Sequence, residues 1–447
     1  MFKSLKKFIV LLAVAVFIAV VTIFLPKIEL KSPEISFSRD ISNIGLAPFD
    51  IYFSDEGQGL KNIMVYLVVN DREHLLAEKN LKIGTSKEVI TIRLNPKKLP
   101  IKDGPAYLIV KAEDYSKVKI VSGNRAKFKK KVMLDLTAPK LTEVSSPQYL
   151  THGGSGFIIY RATKDTVKSG VRLKDYFFKG YRGLFEDDNL FVCYFAYPYD
   201  LVDKEILTII AEDRAGNETV LAVSYGLNKT AYRARDINIS ETFVINKMLP
   251  LVQGEEYSRE NLKEIFLRVN NELRNENNKK ISDIASRSTN IQLWKDKFSQ
   301  LSKSKVEANF ADKRNYVLNG EVIDQQYHFG YDLSVTKKYP VEAANNGIVV
   351  YADDLGIYGN TVILDHGLGV MSLYSHLSSI SVKVGDNIKR NGIIGNTGVT
   401  GLAGGDHLHF GIYIHGVPVR PLEWWDAKWI KRNISSRSKG LQLKKDS

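Results

Sequence analysis

From about Ser32 to Asn228, and again from Lys305 onward, the sequence alternates apolar and polar residues in short runs separated by turn formers. Examples are NIMVYLVVN (62–70), PAYLIVKAED (105–114) and HLHFGIYI (407–414). A period of two over such lengths specifies strands with one buried face, so the chain is expected to be mainly β. At 447 residues it is too long for one ordinary core. Within the first β region AYLIVKAED ends at Asp114 and ILTIIAED ends at Asp213, 99 residues apart. That interval matches one immunoglobulin-like sandwich, which suggests two copies joined at DLTAPKLTEV (135–144), with one larger β region as the alternative. In AEDRAGNE, Gly216 and Asn217 suit a tight hairpin turn.

Two stretches depart from this texture. Residues Phe8–Leu25 form an uncharged apolar run of 18 residues behind Lys3, Lys6 and Lys7. The length fits a membrane-spanning helix, and no small-residue cleavage pattern follows it, which argues for an uncleaved signal anchor over a removed signal peptide. With the lysines held on the cytoplasmic side, residues 27–447 would lie across the membrane. The second stretch, from Ser258 to about Leu301, is polar and helical in period. Ser258 can cap a helix whose apolar face is Leu262, Ile265, Phe266, Val269 and Leu273, and a further helix over Ile281–Leu301 is expected beyond a NENNKK turn. This stretch reads as a connector, with a position over the neighbouring site as the alternative.

The organisation expected is therefore a cytoplasmic N-terminus and transmembrane segment (1–31), two immunoglobulin-like β-sandwich domains (32–136 and 137–230), a helical connector (231–304), a β-rich C-terminal domain (305–430) and a basic tail (431–447). The formal charge of +13 suits an anionic membrane surface or acidic polymer, or serves solubility; nucleic acid is a poor partner for an exported chain. The lone Cys193, in the apolar run FVCYF, excludes an intrachain disulfide and suits a core position.

Six of the eight histidines fall in the last 120 residues. A metal such as zinc takes three or four N, O or S ligands, and with no cysteine there, histidine and carboxylate must supply them. His407 and His409 share one face of a strand, about 6.5–7 Å apart, so both can reach one site without both binding the metal. His328 and Asp332 would be about 13 Å apart on a straight strand, so a bend at Phe329-Gly330 is needed to bring them together. His376 lies on or at the end of a strand, where alternation puts Tyr374 on its side. His366 and His415, each before a glycine at a hairpin turn, read as structural. The glycines at 392, 395, 398, 401 and 404 form turns and, on one reading, a groove wall that lets a peptide backbone approach. Trp424, Trp425 and Trp429 are expected to pin the C-terminal segment onto its domain.

The order H-x-G-x-D, then GNTVILDHGLGVMSLYSHLS, then GxxGxTGxxGxxGGDHLHFG resembles the lysostaphin-type (LytM-like) zinc metallopeptidases that cleave peptidoglycan cross-links. The preceding ADKRNYVLNGEVIDQQYHFGYDLS is similar to membrane-anchored Gram-negative members. The resemblance covers residues 305 to about 430. It implies a β-rich lysostaphin-type peptidase domain in which His328, Asp332 and His409 bind Zn²⁺ while His376 and His407 act beside the metal as acid or base. It further implies a peptidoglycan peptide substrate, with the D,D cross-link between D-alanine and diaminopimelate favoured, and a single-pass protein of the inner (cytoplasmic) membrane with its catalytic domain in the periplasm. Cell-wall protein partners could dock through the immunoglobulin-like domains. The alternative is a catalytically inactive regulator that binds and activates another cell-wall hydrolase. Tyr331, where an aliphatic residue is common, and Asp406, where proline is frequent, depart from the family pattern without touching an implied ligand.

Overall fold

The computed structural model describes residues 12–16, 18, 31–116, 123–252, 254 and 256–444. The apolar run Phe8–Leu25 expected to span a membrane lies largely outside them. No helix among the described residues is long and apolar enough to cross a membrane. The chain divides into two compact units, one of Met1–Pro139 with Glu212–Thr219 and one of Lys140–Ala211 with Val220–Ser447.

In the first unit, strands Glu34–Phe37, Phe49–Ser54 and Lys87–Ile92 form one sheet, and Asn43–Ile44, Arg125–Leu134, Gly104–Asp114, Leu60–Val69 and Arg72–Asn80 form another, each in that spatial order. Alternation buries Phe49, Ile51 and Phe53 from the first sheet and Ile63, Val65, Leu67, Leu108 and Val110 from the second in a single core. The repeated AED has a shared physical role. Asp114 Oδ1 accepts the Ser116 and Asn124 amides, while the Asn124 side chain donates to Oδ2. Asp213 accepts the Ala215 and Asn217 amides and the Asn217 side chain in the same way. Each aspartate folds the turn that follows its strand.

The second unit opens with a sheet of Tyr181–Arg182, Leu190–Ala196, Ser155–Ala162 and Leu141–Ser145, in which Cys193 is fully buried. Its thiol donates to the Phe178 carbonyl at 3.2 Å, and burial pushes its pKa up, so it is inert. The C-terminal sheet lines up Lys305–Ala308, Tyr331–Ser334, Leu408–Ile414, Val370–Ser375, Asn360–Gly367, Gly347–Asp354 and Asn387–Ile388, with Val417–Val419 pairing onto Leu408–Ile414. His415-Gly416, both with φ positive (49° and 82°), close that last hairpin, as two-residue turns between twisted strands require. The His415 ring stacks on Tyr181. His366 bridges the Asn346 carbonyl and the Ser372 hydroxyl. Burial pushes both imidazoles down to about 4, in keeping with structural roles.

The two faces of this sheet enter different cores. Leu408, Phe410, Ile412 and Ile414 pack with Trp294, Phe298 and Trp424, and this core continues into Phe157, Tyr194 and their neighbours on the Ser155–Ala162 and Leu190–Ala196 strands. Met371, Leu373 and Tyr413, on the other face, pack with Leu262, Ile265, Phe266 and Val269. These helix residues are the ones the periodicity selects, and the Ser258 hydroxyl accepts the Asn261 amide at the helix start. The expected break at NENNKK is absent. Leu262–Leu267 and Arg274–Ala285 form one helical run through a π-helical turn, Arg268–Leu273, with NENNKK inside it.

The second expected helix, Ile281–Leu301, ends at Ala285 and gives way to irregular chain. Tertiary hydrogen bonds take its backbone groups. Leu293, Phe298 and Ser299 donate to the carbonyls of His366, Trp424 and Ala344, and the Asn345 side chain bonds both the amide and the carbonyl of Lys295. Trp294 and Phe298 are thereby seated in the core without a helix. The basic tail also folds back. Arg437 donates to the Ser146 carbonyl, and Phe185 bridges to Leu443.

Trp424 is fully buried and donates from Nε1 to Ser155 Oγ at 2.9 Å, so it fastens the C-terminal segment to the Ser155–Ala162 strand as well as to its own sheet. Beside it Glu423 accepts the Ser155 amide at 2.7 Å. Burial is the dominant influence on that carboxyl and pushes it up to about 7. A folded-state pKa above the ordinary value of about 4.3 means that the native state binds the extra proton between the two values. Stability should therefore decline as pH rises from about 4.5 to about 7, by on the order of 3 kcal/mol from this group. Glu423→Gln should flatten that part of the pH dependence in thermal melts of the full chain; an unchanged slope would show that Glu423 is not its source.

Candidate active site

The Leu408–Ile414 strand lies between Tyr331–Ser334 and Val370–Ser375, and its register sets His409 opposite both Asp332 and Ser375. Directly paired residues share a face, so Asp332 and His409 project together while their neighbours Leu333 and Leu408 point into the core. His328 reaches the same point because the chain turns at 328–330, between strands Glu321–Tyr327 and Tyr331–Ser334. A Cβ on Gly330 would stand 2.4 Å from the Phe410 carbonyl and 2.8 Å from the His409 ring, so the close approach of the chain here requires glycine.

The three groups meet atom to atom. His328 Nε2 is 2.9 Å from both Asp332 Oδ1 and His409 Nδ1, and His409 Nδ1 is 3.0 Å from Asp332 Oδ1. The Asn309 carbonyl lies 2.9 Å from His328 Nδ1, which must carry the proton, leaving Nε2 with a bare lone pair turned on the cluster. Arg314 donates to Asp332 Oδ2 at 3.1 Å and leaves Oδ1 for the histidines. Burial pushes Asp332 up, but the three imidazoles gathered around it, those of His328, His407 and His409, outweigh that and hold the carboxyl well below its usual range. Burial drives His409 down to about 4, so this imidazole is neutral, as a ligand must be. Two imidazole nitrogens and one carboxylate oxygen converging in a buried pocket form a donor set that could hold a metal ion, and its N/O composition suits zinc.

His376 and His407 stand beside the cluster, their ring centroids 4.9 Å apart and that of His376 5.8 Å from His409. His376 Nδ1 bonds the Thr400 carbonyl and His407 Nδ1 the Gly405 carbonyl, so each turns Nε2 the other way; for His407 that atom lies 3.5 Å from Asp332 Oδ1. All five residues singled out by the sequence are thus brought together. His376 follows its strand with φ +63°, an uncommon conformation for a non-glycine residue, held by its amide bond to the Tyr358 carbonyl. That turn breaks the expected alternation. Tyr374 is not beside His376 but buried in the core, its hydroxyl accepting the Ala344 amide.

The glycine-rich run divides in two. Cβ atoms on Gly395, Gly398 and Gly401 would come within 2.4 Å of the backbone at Ser379, Ser378 and Ile357, so these glycines serve packing. Gly404 has nothing within 4 Å, and of the five it alone lines the pocket. Asp406 accepts the Thr397 hydroxyl and the Lys338 amide and pins the loop ahead of His407.

The pocket over the cluster has a volume of about 310 Å³. Its far wall comes from the helical stretch, through Phe243, Met248, Phe266, Asn270 and Arg274. That stretch, read from the sequence as a connector with a position over the neighbouring site as the alternative, packs its apolar stripe on the sheet face that carries His409. Sequence reading also missed Arg314, Arg274 and Tyr358, whose ring centroid is 5.7 Å from that of His409. None carries a local motif, and only the fold brings them in.

Fold and site together define a His–Asp–His donor set on one face of a β-sheet that could hold a metal ion, with two further histidines beside it. Residues 326–421 match Peptidase family M23. DD-carboxypeptidase/endopeptidase Mpg of Neisseria meningitidis is 39% identical over 95 residues, covering 21% of this chain and 22% of that protein. Peptidoglycan DD-endopeptidase ShyA of Vibrio cholerae is 34% identical over 122 residues, covering 27% and 28%. The match thus spans about a quarter of each relative's length. Among solved structures, the catalytic domain of lysostaphin from Staphylococcus simulans is 29% identical with a TM-score of 0.25, covering 29% of this chain and 98% of that one.

The Gly330 bend makes a direct prediction. Gly330→Ala should destabilise the second unit by roughly 1–3 kcal/mol through overpacking and lower the metal content of the purified chain, read by melting and by elemental analysis. Full metal content with an unchanged melt would show that the bend tolerates a side chain.

Proposed function

We propose that the chain is a zinc-dependent endopeptidase that hydrolyses peptide cross-links of peptidoglycan. The observation that carries this reading is the meeting of His328 Nε2, Asp332 Oδ1 and His409 Nδ1 within 3.0 Å, with His376 and His407 beside them. His328, Asp332 and His409 would hold the ion. When bound, zinc polarises a carbonyl and brings the pKa of water down toward about 7.

The protein's own residues do the rest. Asn309 and Arg314 orient His328 and Asp332. His376 and His407, each fixed through Nδ1 by a carbonyl, present Nε2 to the pocket, where one takes the proton of the attacking water and the other donates to the oxyanion or the leaving amine. The N-terminal apolar run and its lysines support single-pass anchoring in the inner membrane with the site in the periplasm, beside its substrate. The complete donor set weighs against an inactive regulator.

The zinc-loaded full chain should carry about one zinc per molecule and release peptides from purified peptidoglycan, and a chelator should stop it. His409→Ala should lower zinc content to under about a tenth and abolish release. Stoichiometric zinc without cleavage would favour the regulator; cleavage untouched by His409→Ala would overturn the ligand assignment.

A further inference from the structure

Apart from the His328–Asp332–His409 donor set and the two histidines beside it, the charged groups lining the pocket are two guanidiniums, Arg274 and Arg314. Asp332 is the one carboxylate among the lining residues. Arg314 bonds it at 3.1 Å, which uses one of five guanidinium donors. Arg274 bonds the Asn270 carbonyl at 3.0 Å through Nε and the Asn270 side-chain oxygen at 2.6 Å through Nη2. Asn270 is itself fully buried and donates to Asp324. Arg274 is therefore held from one side, with donors to spare on the other. The helix also changes to π geometry over Arg268–Leu273, immediately before Arg274 and through Asn270, a rare distortion concentrated at functional sites.

Resting on the peptidase reading above, we infer that Arg274 and Arg314 anchor a free carboxylate on the substrate, and that this carboxylate is the α-carboxylate of the residue on the leaving side of the scissile bond. Planar guanidinium forks are the groups best suited to bind a carboxylate. The position follows from chemistry. Arg314 touches a member of the metal cluster, so its anionic partner must lie close to the reacting amide. The α-carboxyl of the acyl residue is itself the scissile carbonyl and carries no charge. A residue joined through its α-nitrogen, with its own carboxyl outside any peptide bond, places a carboxylate one carbon from the leaving nitrogen. Interior bonds of ordinary polypeptides, and glycine bridges, offer no such group. Arg274 lies outside the stretch that matches the peptidase family, so the helical wall would supply part of the substrate selectivity.

The test uses the zinc-loaded full chain and two synthetic cross-linked muropeptides that differ in one place, a free carboxylate or a carboxamide on the leaving residue. The wild type should prefer the acid by about 10- to 100-fold in kcat/KM, mainly through KM. Arg274→Ala should bring that ratio to within about threefold of one, and Arg274→Lys should restore part of it. Equal cleavage of both substrates by the wild type would overturn the inference and leave the peptidase reading intact. A parallel loss on both substrates in Arg274→Ala, with the ratio preserved, would reduce Arg274 to a structural role and overturn its part. Cleavage of neither by the wild type would defeat the peptidase reading and this inference together.

Discussion

The pairing of Asp332 with His409 across two adjacent strands is the constraint on which the site depends. It fixes a carboxylate and an imidazole on one face, at one level, without any loop having to place them. Everything else is arranged to serve that pair. Gly330 leaves room for the chain to pass close against His409 so that His328 closes on the pair, Arg314 takes the outer oxygen of Asp332, and Ser375, on the other side of His409, leads into the left-handed turn that delivers His376. A one-residue slip of the Leu408–Ile414 strand would turn His409 into the core and Leu408 onto the pocket.

Much of this was legible in the sequence, for reasons that are local. The parity of H-L-H puts His407 and His409 on one face of any strand, and H-x-G-x-D with its central glycine implies a bend, because a straight strand would hold its ends apart. The amphipathic stripe of Leu262, Ile265, Phe266, Val269 and Leu273 was equally plain. Its destination was not. The stripe says that one face is buried but not against what, and it packs on the sheet face that bears the site. The irregular path of Thr289–Ser304 was illegible for the same kind of reason. Asn345 and three carbonyls distant in sequence satisfy its backbone, while Trp294 and Phe298 offered a spacing that a helix would also have used.

The second unit is also more continuous than a division at residue 230 would suggest. Trp424 and Glu423 reach Ser155, and one apolar cluster runs from the Leu190–Ala196 strand into the face of the C-terminal sheet that lies opposite the site. The sheet is thus buttressed from behind by that cluster and walled in front by the helix. Such support suits a centre in which buried lone pairs must be held within hydrogen-bonding distance of one another before an ion arrives.

X-ray absorption spectroscopy of the zinc-loaded full chain tests this account most directly. It predicts a shell of nitrogen and oxygen alone near 2.0–2.1 Å, with outer-shell scattering from two imidazoles, those of His328 and His409. A shell with three or more imidazoles would make His407 or His376 a ligand, and one with none would mean that the three donors do not hold the metal; either result would contradict the account.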